Sequence, residues 1–229
     1  MAKRTLYFMR HGQTNFNLNN IVQGWCDSFL TEQGIAGVGA AGVGILDSGI
    51  VFDGIYSSDS GRTQQTARVI LEKTQSDSRI QLEPNFREFN FGGFEGQDDL
   101  IMQSALANHA NIAVEDVNIV LNSMEKMITA ITTVHNEIFE TGFIGEVETH
   151  QKYTNRLRKG LENTITAMVA KDQTCTLIVS HGMTICTLVQ LLEPGIEMPK
   201  TGIANASLTK ILYDDETGQY TVESVGQTA

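Results

Sequence analysis

The chain has 229 residues, of which 41% are hydrophobic and 19% are charged, a balance typical of a globular domain with one large core. Asp and Glu number 27 against 16 Lys and Arg, so the formal net charge is −11. This acidity argues against a nucleic-acid partner and against a polybasic membrane-binding surface, because both require a basic face. An anionic substrate would have to be bound by a local cluster of cations.

The cysteines and the first residues give expectations about location. Cys26, Cys175 and Cys186 are odd in number and form no CxxC pair, which predicts neither a disulfide framework nor a thiolate zinc site. The apolar run before Arg10 covers only residues 5–9, too short for a signal peptide or a membrane span. We therefore expect a cytoplasmic protein with reduced thiols.

The first part of the chain predicts alternating strands and helices. The pattern predicts a buried strand over 5–9, a helix over 31–46 capped by Thr31, and a strand over 50–58. It then predicts a helix to residue 71 capped by Asp59 or Ser60, a weak strand over 80–82 and an ordered loop over 90–96. Gly37, Gly39 and Gly42 match the G-x-G-x-x-G spacing of nucleotide-binding loops. No strand precedes them, so we interpret them as part of the helix.

The middle of the chain has a different character. Residues 98–140 contain no Pro or Gly and have helical apolar spacing, which predicts two helices with a break near 108–111. A third amphipathic helix is predicted over 146–170. The pattern then predicts a buried strand over 174–179, a helix over 183–192, and a hairpin of strands over 207–213 and 220–225.

These elements predict the fold class. We expect one three-layer α/β domain over residues 1–229, with a mostly parallel sheet and helices on both of its faces. The hairpin suggests at least one antiparallel edge strand. The helical middle predicts a cap inserted at about 97–145.

Two predicted strands end in a histidine followed by glycine, at His11-Gly12 and His181-Gly182. In open α/β sheets, ligands bind at the carboxyl ends of the strands, so both histidines are placed where a site is expected. The glycines allow the backbone to approach a ligand closely. One such histidine would more often be structural, whereas two in the same pattern favour function.

Arginines and one acid complete a candidate site. Arg10 precedes the first histidine, and Arg62 falls in the first turn of a predicted helix, where the backbone amides favour anions. Guanidinium groups match phosphate oxygens through paired hydrogen bonds. Glu88 is the candidate acid. His109, His135 and His150 lie at no metal-ligand spacing, so we expect no metal and no cofactor.

The chain resembles the histidine phosphatase superfamily, also called the phosphoglycerate-mutase-like family, over most of its length. The resemblance rests on separated motifs that occur in the family's order: Arg10-His11-Gly12, Asn17, Gly24-Trp25 with Asp27, Leu30-Thr31, Gly34, Arg62, Glu88 and Ser180-His181-Gly182. It implies that His11 is a nucleophile that becomes a phosphohistidine. It further implies that Arg10, Arg62 and His181 hold the phosphoryl oxygens and that Glu88 is the proton donor. By the same resemblance Asn17, Gln23, the Gly24 amide and Gly182 lie beside the phosphate.

Phosphatases and mutases of this family share that core, so other features must separate them. The cofactor-dependent mutases carry arginines and a lysine in their insert, whereas residues 89–145 here contain only Lys126 as a cation. We therefore expect a metal-independent phosphatase of small phosphate monoesters, with a neutral or moderately apolar leaving group. The alternatives are mutase-type phosphoryl transfer and a non-catalytic module that binds a phosphorylated ligand. A homodimer is compatible with the sequence.

Overall fold

The computed structural model describes residues 3–139, 146–196, 198–199 and 202–228. Its centre is a six-stranded sheet in the order β3-β2-β4-β1-β5-β6. The strands are β1 (Lys3–Arg10), β2 (Gly54–Ser57), β3 (Ile80–Leu82), β4 (Cys175–Ser180), β5 (Leu208–Asp214) and β6 (Tyr220–Gln227). Strands β3, β2, β4 and β1 are parallel to one another. Strand β5 is antiparallel to β1, and β6 is antiparallel to β5.

In the part of the chain that the structure describes, eight α-helices connect and cover the strands. They are α1 (Asn15–Leu18), α2 (Glu32–Asp47), α3 (Gly61–Lys73), α4 (Asp99–Ala110), α5 (Val117–Val120), α6 (Met124–Ile138), α7 (His150–Ala170) and α8 (Gly182–Leu192). Within the described ranges, no helix has the length and apolar composition needed to cross a membrane.

Alternation along the strands creates two apolar layers. Leu6 and Phe8 of β1 join the layer that contains α4, α6, α7 and α8, whereas Met9 joins the layer formed with α2 and α3. Strand side chains point to opposite faces with a period of two, so one strand supplies both layers. Helices on both faces of a mostly parallel sheet confirm the predicted three-layer α/β fold.

The glycine-rich stretch is helical, as interpreted from the sequence. Thr31 caps α2 by accepting from the Gly34 amide at 2.9 Å. A Cβ on Gly34 would lie 2.1 Å from the Gln13 carbonyl oxygen, and one on Gly42 would lie 2.7 Å from the Lys73 Cβ. These glycines therefore let α2 approach the loop after β1 and helix α3.

The helical middle has three helices where the sequence predicts two. Helix α4 ends at Asn111, whose left-handed φ of 54° stops it within the predicted break. A short α5 then precedes α6, and the apolar spacing alone did not separate them. The predicted cap boundary near 145 lies outside the described residues, since 140–145 are not described.

Two further elements differ from prediction. Strand β2 covers only residues 54–57 of the predicted 50–58, because the chain turns before Gly54. Ser60 occupies the N-cap position of α3 as predicted, but its hydroxyl contacts the Thr63 side chain at 2.9 Å and caps no backbone amide. The other predicted cap, Asp59, binds Arg87 instead. Asp27 replaces them by accepting from the Gly61 amide at 2.5 Å.

Candidate active site

Sheet register brings the carboxyl ends of three parallel strands to one edge. Arg10 is paired with Ser180, so His11 and His181 follow at the same level; Ser57 is paired with Val179, so Ser58 lies one residue before that level. The His11 amide donates to the Ser180 carbonyl at 3.0 Å. The rings of His11 and His181 are consequently 5.4 Å apart between centroids. The two strand-end histidines predicted from the sequence therefore meet.

His11 is held as a neutral imidazole with one free nitrogen. Its Nδ1 lies 2.8 Å from the Gly12 carbonyl oxygen, which can only accept, so Nδ1 carries the proton and Nε2 is left with a lone pair. Burial lowers the pKa of His11 well below its usual range, and the charges of Arg62 and Arg10 lower this pKa further. Nε2 is therefore unprotonated at neutral pH and available to attack an electrophile.

His181 is fixed at both ring nitrogens. Its Nδ1 accepts from Arg62 Nη2 at 2.9 Å, so the proton lies on Nε2, which is 2.9 Å from Ser58 Oγ. The ring is fully buried, and burial together with the Arg62 charge holds the pKa of His181 well below its usual range. It therefore stands beside His11 as a second neutral imidazole.

Arg62 is 1% exposed, and the surrounding protein binds four of its N–H groups. Nη1 donates to the Cys26 carbonyl and to Asp27 Oδ1, both at 2.9 Å. Nη2 donates to the Gly24 carbonyl at 2.8 Å and to His181. Its Nε is buried and has no hydrogen-bond partner among the described residues. This N–H is the one that Arg62 can offer to an anion.

Arg10 has fewer hydrogen-bond partners than Arg62 among the described residues. Its Nη1 donates to the Ile203 carbonyl at 2.5 Å, and its buried Nε lacks a partner in the part of the chain that the structure describes. A Cβ on Gly182 would lie 3.4 Å from this Nε, so the glycine lets the start of α8 pack against the guanidinium. Two buried N–H groups of arginine without acceptors are a strong indication of an anion site.

Glu88 is held by the amino end of α8. Its Oε2 accepts from the Met183 amide at 3.0 Å, and Oε1 accepts at 3.0 Å from the amides of Phe89 and Thr184. The hydroxyls of Tyr153 and Thr184 also lie 3.0 Å from Oε1. Oε1 accepts from two backbone amides and lies beside two hydroxyls, whereas Oε2 has one donor among the described residues, so Oε2 has more capacity left to carry a proton.

Arg156 fixes the backbone that carries this acid. Its guanidinium pairs with Glu148 at 2.6 and 2.7 Å. The same group donates to the carbonyls of Asn85, Arg87 and Glu88 at 2.8, 2.7 and 2.6 Å. Arg156 is therefore fully engaged in holding residues 85–88.

The predicted phosphate-binding residues take varied positions. Asn17 Oδ1 accepts from Asn205 Nδ2 at 3.3 Å, and Asn205 Nδ2 also donates to the His11 carbonyl at 2.9 Å. Gln23 bridges Thr14 and Ser28 at 2.7 and 3.1 Å. The Gly24 amide donates to Glu95 Oε2 at 3.1 Å. The Asn17, Gln23 and Gly24 groups named by the resemblance thus bind other protein groups, and their contacts to a ligand remain predictions.

A cavity of about 280 Å³ opens beside the histidine pair. Its walls come from the loop after α1, the start of α3 and the loop that carries Glu88; the lining residues are Gly24, Trp25, Asp27, Asp59, Ser60, Gly61, Arg87, Glu88 and His181. The Arg87 guanidinium stacks 4.6 Å from the Trp25 ring and pairs with Asp59 at 2.7 and 2.5 Å. Burial raises the pKa of the neighbouring Cys26 to about 12, which argues against a thiolate nucleophile.

Three groups complete the site without a role in the sequence-based prediction: Ser58, Tyr153 and Thr184. Ser58 directly follows β2, so the reasoning that selected His11 and His181 could have found it. Tyr153 lies on α7 and reaches Glu88 across 65 positions of sequence. No local pattern indicates such a contact. No cluster of three or more metal-ligating side chains occurs within the described ranges.

The two buried histidines predict acid sensitivity. Each unfolded histidine takes up a proton near pH 6.5, whereas the folded one stays neutral to much lower pH. The unfolded state therefore binds more protons below pH 6.5, and the free energy of unfolding falls by about 1.4 kcal/mol per pH unit for each histidine. Urea unfolding at pH 6.5, 5.5 and 4.5 should approach this slope, and His181→Gln should remove about half of it. If the free energy of unfolding of that variant depended on pH as steeply as in the wild type, His181 would not be a histidine that folding keeps neutral.

Comparisons with known proteins place the chain among relatives of several activities. A 2,3-bisphosphoglycerate-dependent phosphoglycerate mutase from Bartonella henselae is 42% identical over 95 residues, which are 41% of this chain. That stretch spans 46% of the relative's own length. The crystal structure of phosphoglycerate mutase from Bacillus anthracis str. Sterne has 33% identity and a TM-score of 0.88, covering 99% of this chain and 94% of that one.

A phosphatase structure shares the fold at lower identity. The alpha-ribazole phosphatase from Shigella flexneri has 19% identity and a TM-score of 0.65, with 98% of both chains covered. The model of the histidine phosphatase superfamily (branch 1) matches residues 6–225. That range contains both strand-end histidines, both arginines and the acid. The chain belongs to branch 1 of the histidine phosphatase superfamily.

Proposed function

We propose that this protein hydrolyses small phosphate monoesters through a phosphohistidine intermediate, without a metal ion. The observation that carries the proposal is the charge of the cavity beside the histidine pair. Among the described residues that line it are the carboxylates of Asp27, Asp59 and Glu88, and the guanidinium of Arg87 is the only cation in this set. Because Asp59 already pairs with Arg87, the cavity offers poor binding to a carboxylate or a second phosphate.

A neutral leaving group fits these walls better than an anionic one. Lys126, the single cation in 89–145, is exposed and bonded to Asn122 at 3.1 Å. Arg156 is engaged with Glu148 and three carbonyls. Sugar acids with a phosphate group carry a carboxylate that needs such a partner. The proposed substrates are therefore phosphate esters of neutral alcohols.

The proposed chemistry follows from the positions of the groups. His11 Nε2 attacks phosphorus and forms the P–N bond while the bond from phosphorus to the leaving oxygen breaks. Arg10 and Arg62 supply their unused N–H groups to the phosphoryl oxygens. Glu88 Oε2 gives its proton to the leaving oxygen and then takes one from the water that attacks the phosphohistidine. Phosphate leaves, and His11 and the protonated Glu88 are regenerated.

Mutase-type phosphoryl transfer is the second candidate. It is favoured by the 33% identity and the TM-score of 0.88 to the Bacillus anthracis phosphoglycerate mutase structure. A mutase would return the phosphoryl group to a second position of the sugar acid before water attacks. This activity requires binding of the substrate carboxylate, for which the described part of the cavity wall supplies Arg87 alone, already paired with Asp59.

The test is phosphate release from a panel of monoesters in the presence of a chelator. The panel pairs neutral leaving groups, such as glucose 6-phosphate, with 3-phosphoglycerate, and uses His11→Ala as the control. The proposal would be supported if the wild type released phosphate preferentially from the neutral esters and the His11→Ala variant released none. Conversion of 3-phosphoglycerate to 2-phosphoglycerate without phosphate release would replace it with the mutase. No turnover with retained phosphate binding would favour a binding module.

The role of Glu88 predicts a dependence on the leaving group. Glu88→Gln keeps the size of the side chain but has no proton of suitable acidity, so esters of alcohols should slow by about 10²–10⁴-fold. p-Nitrophenyl phosphate should slow much less, because its leaving oxygen needs no proton. The measurement is kcat/KM for both esters in both proteins. Equal losses for the two esters would argue against Glu88 as the proton donor.

A further inference from the structure

Glu95 accepts hydrogen bonds from four backbone amides, although it makes no hydrogen bond to His11, His181, Glu88 or the two arginines among the described residues. Its Oε1 accepts from the amides of Trp25 and Phe91 at 2.8 and 3.0 Å. Its Oε2 accepts from Gly24 and Cys26 at 3.1 and 3.0 Å. One carboxylate thus binds three consecutive amides of a loop that lies 69–71 positions earlier in the sequence.

The opposite side of the same loop binds Arg62. The carbonyls of Gly24 and Cys26 accept from Nη2 and Nη1 of Arg62 at 2.8 and 2.9 Å. In the Gly24–Trp25 peptide group, the N–H faces the Glu95 carboxylate and the C=O faces the Arg62 guanidinium. A trans peptide is planar, with its N–H and C=O pointing in opposite directions, so this one group joins the anion to the cation. The negative charge of Glu95 at the N–H and the positive charge of Arg62 at the C=O both stabilise the dipole of this peptide group.

The orientation of Arg62 matters because its free donors are few. Four of its N–H groups are committed to Gly24, Cys26, Asp27 and His181, and only Nε remains for a ligand. A shift of the loop would turn the plane of the guanidinium. That movement would redirect Nε and disturb the bond to His181 Nδ1.

We propose that Glu95 is a positioning residue for phosphoryl transfer, acting through the Gly24–Trp25 peptide on Arg62. The activity readout rests on the proposed function, whereas the binding readout does not. A shift of the order of 1 Å in a catalytic group can cost about 10²-fold in rate, so Glu95→Gln should lower kcat/KM by about that factor. The dissociation constant of orthovanadate, measured by calorimetry, should rise with it.

Asp53 provides a matched control. Its Oδ2 accepts from the amides of Thr174 and Cys175 at 2.7 and 3.0 Å, at the amino end of β4 and away from the histidines. Asp53→Asn removes an amide-binding carboxylate in the same way. It should lower the melting temperature but leave kcat/KM and orthovanadate binding unchanged.

A double-mutant cycle tests the route through Arg62. If Glu95 acts by orienting this guanidinium, Glu95→Gln should have little effect on kcat/KM once Arg62→Lys is present, because coupled residues are not additive. The proposal would be overturned if the loss of kcat/KM in the double variant equalled the product of the losses in the two single variants. It would also be overturned if Glu95→Gln folded and kept wild-type kcat/KM and orthovanadate affinity. Glu95→Asp serves in the cycle if the Gln variant does not fold. If the wild type hydrolyses no ester, the proposed function fails, and the same cycle on orthovanadate binding still decides the role of Glu95.

Discussion

A His11→Gln variant is expected to lose at least about 10⁴-fold in kcat/KM for phosphate release, because glutamine has no nitrogen lone pair to replace Nε2. The wild type can be quenched during turnover of an ester that carries a radiolabelled phosphoryl group. The quenched protein should keep the phosphoryl label in alkali and lose it in acid. The variant should carry none. Rapid-quench sampling and peptide mapping measure the amount and position of the label.

His109→Gln is the matched control for this experiment. His109 is exposed on α4 and contacts Glu137 at 3.3 Å, so its replacement should leave turnover and labelling unchanged. Labelling of a residue other than His11 would show that another group forms the intermediate. Retained turnover in His11→Gln would rule out the proposed nucleophile.

Arg62→Lys is expected to have the second largest effect, a loss of about 10³-fold in kcat/KM. One ammonium cannot replace a fork that binds Gly24, Cys26, Asp27 and His181 at once. Loss of a single preorganised donor typically costs about 10²–10³-fold, and here the neighbouring His181 also loses its partner. The free energy of unfolding should fall as well, by about 1–3 kcal/mol for each buried carbonyl left without a donor.

Arg68→Lys makes the same replacement on the exposed face of the same helix. Arg68 contacts Gln64 at 3.4 Å, and its variant should keep both stability and kcat/KM. Steady-state kinetics and urea unfolding of the two variants measure the difference. Similar activity in both variants would show that Arg62 is not needed for the chemistry.

Strand ends could be predicted from the sequence because they depend on local pattern. An apolar run followed by His-Gly placed His11 and His181 at one edge of the sheet, and the register of β1 and β4 brings them together. The three-layer arrangement likewise follows from alternating strands and amphipathic helices. Their catalytic roles, like those of Arg10, Arg62 and Glu88, remain predictions.

Contacts between distant segments could not be predicted in this way. Asp27 binds the amino end of α3 from 34 positions away, so the capping hydrogen bond comes from a distant side chain even though Ser60 holds the N-cap position. The resemblance implies that the Gly24 amide lies beside the phosphate, and no local pattern indicates that this amide donates to Glu95, 71 positions later in the chain. Capping preferences describe what a side chain can bind, whereas the tertiary fold decides which group is nearest.

The position of β1 has a consequence for synthesis of the protein. Both of its neighbours in the sheet, β4 and β5, come late in the chain, at 175–180 and 208–214. A ribosome that adds about 5–20 residues per second needs roughly 10–40 s to proceed from β1 to the end of β5. Until β4 has been made, which takes most of that time, Leu6, Phe8 and Met9 have no strand partner and the His11–His181 pair cannot exist. The nascent chain therefore remains inactive and exposes an aggregation-prone strand until nearly all of the sheet has left the ribosome.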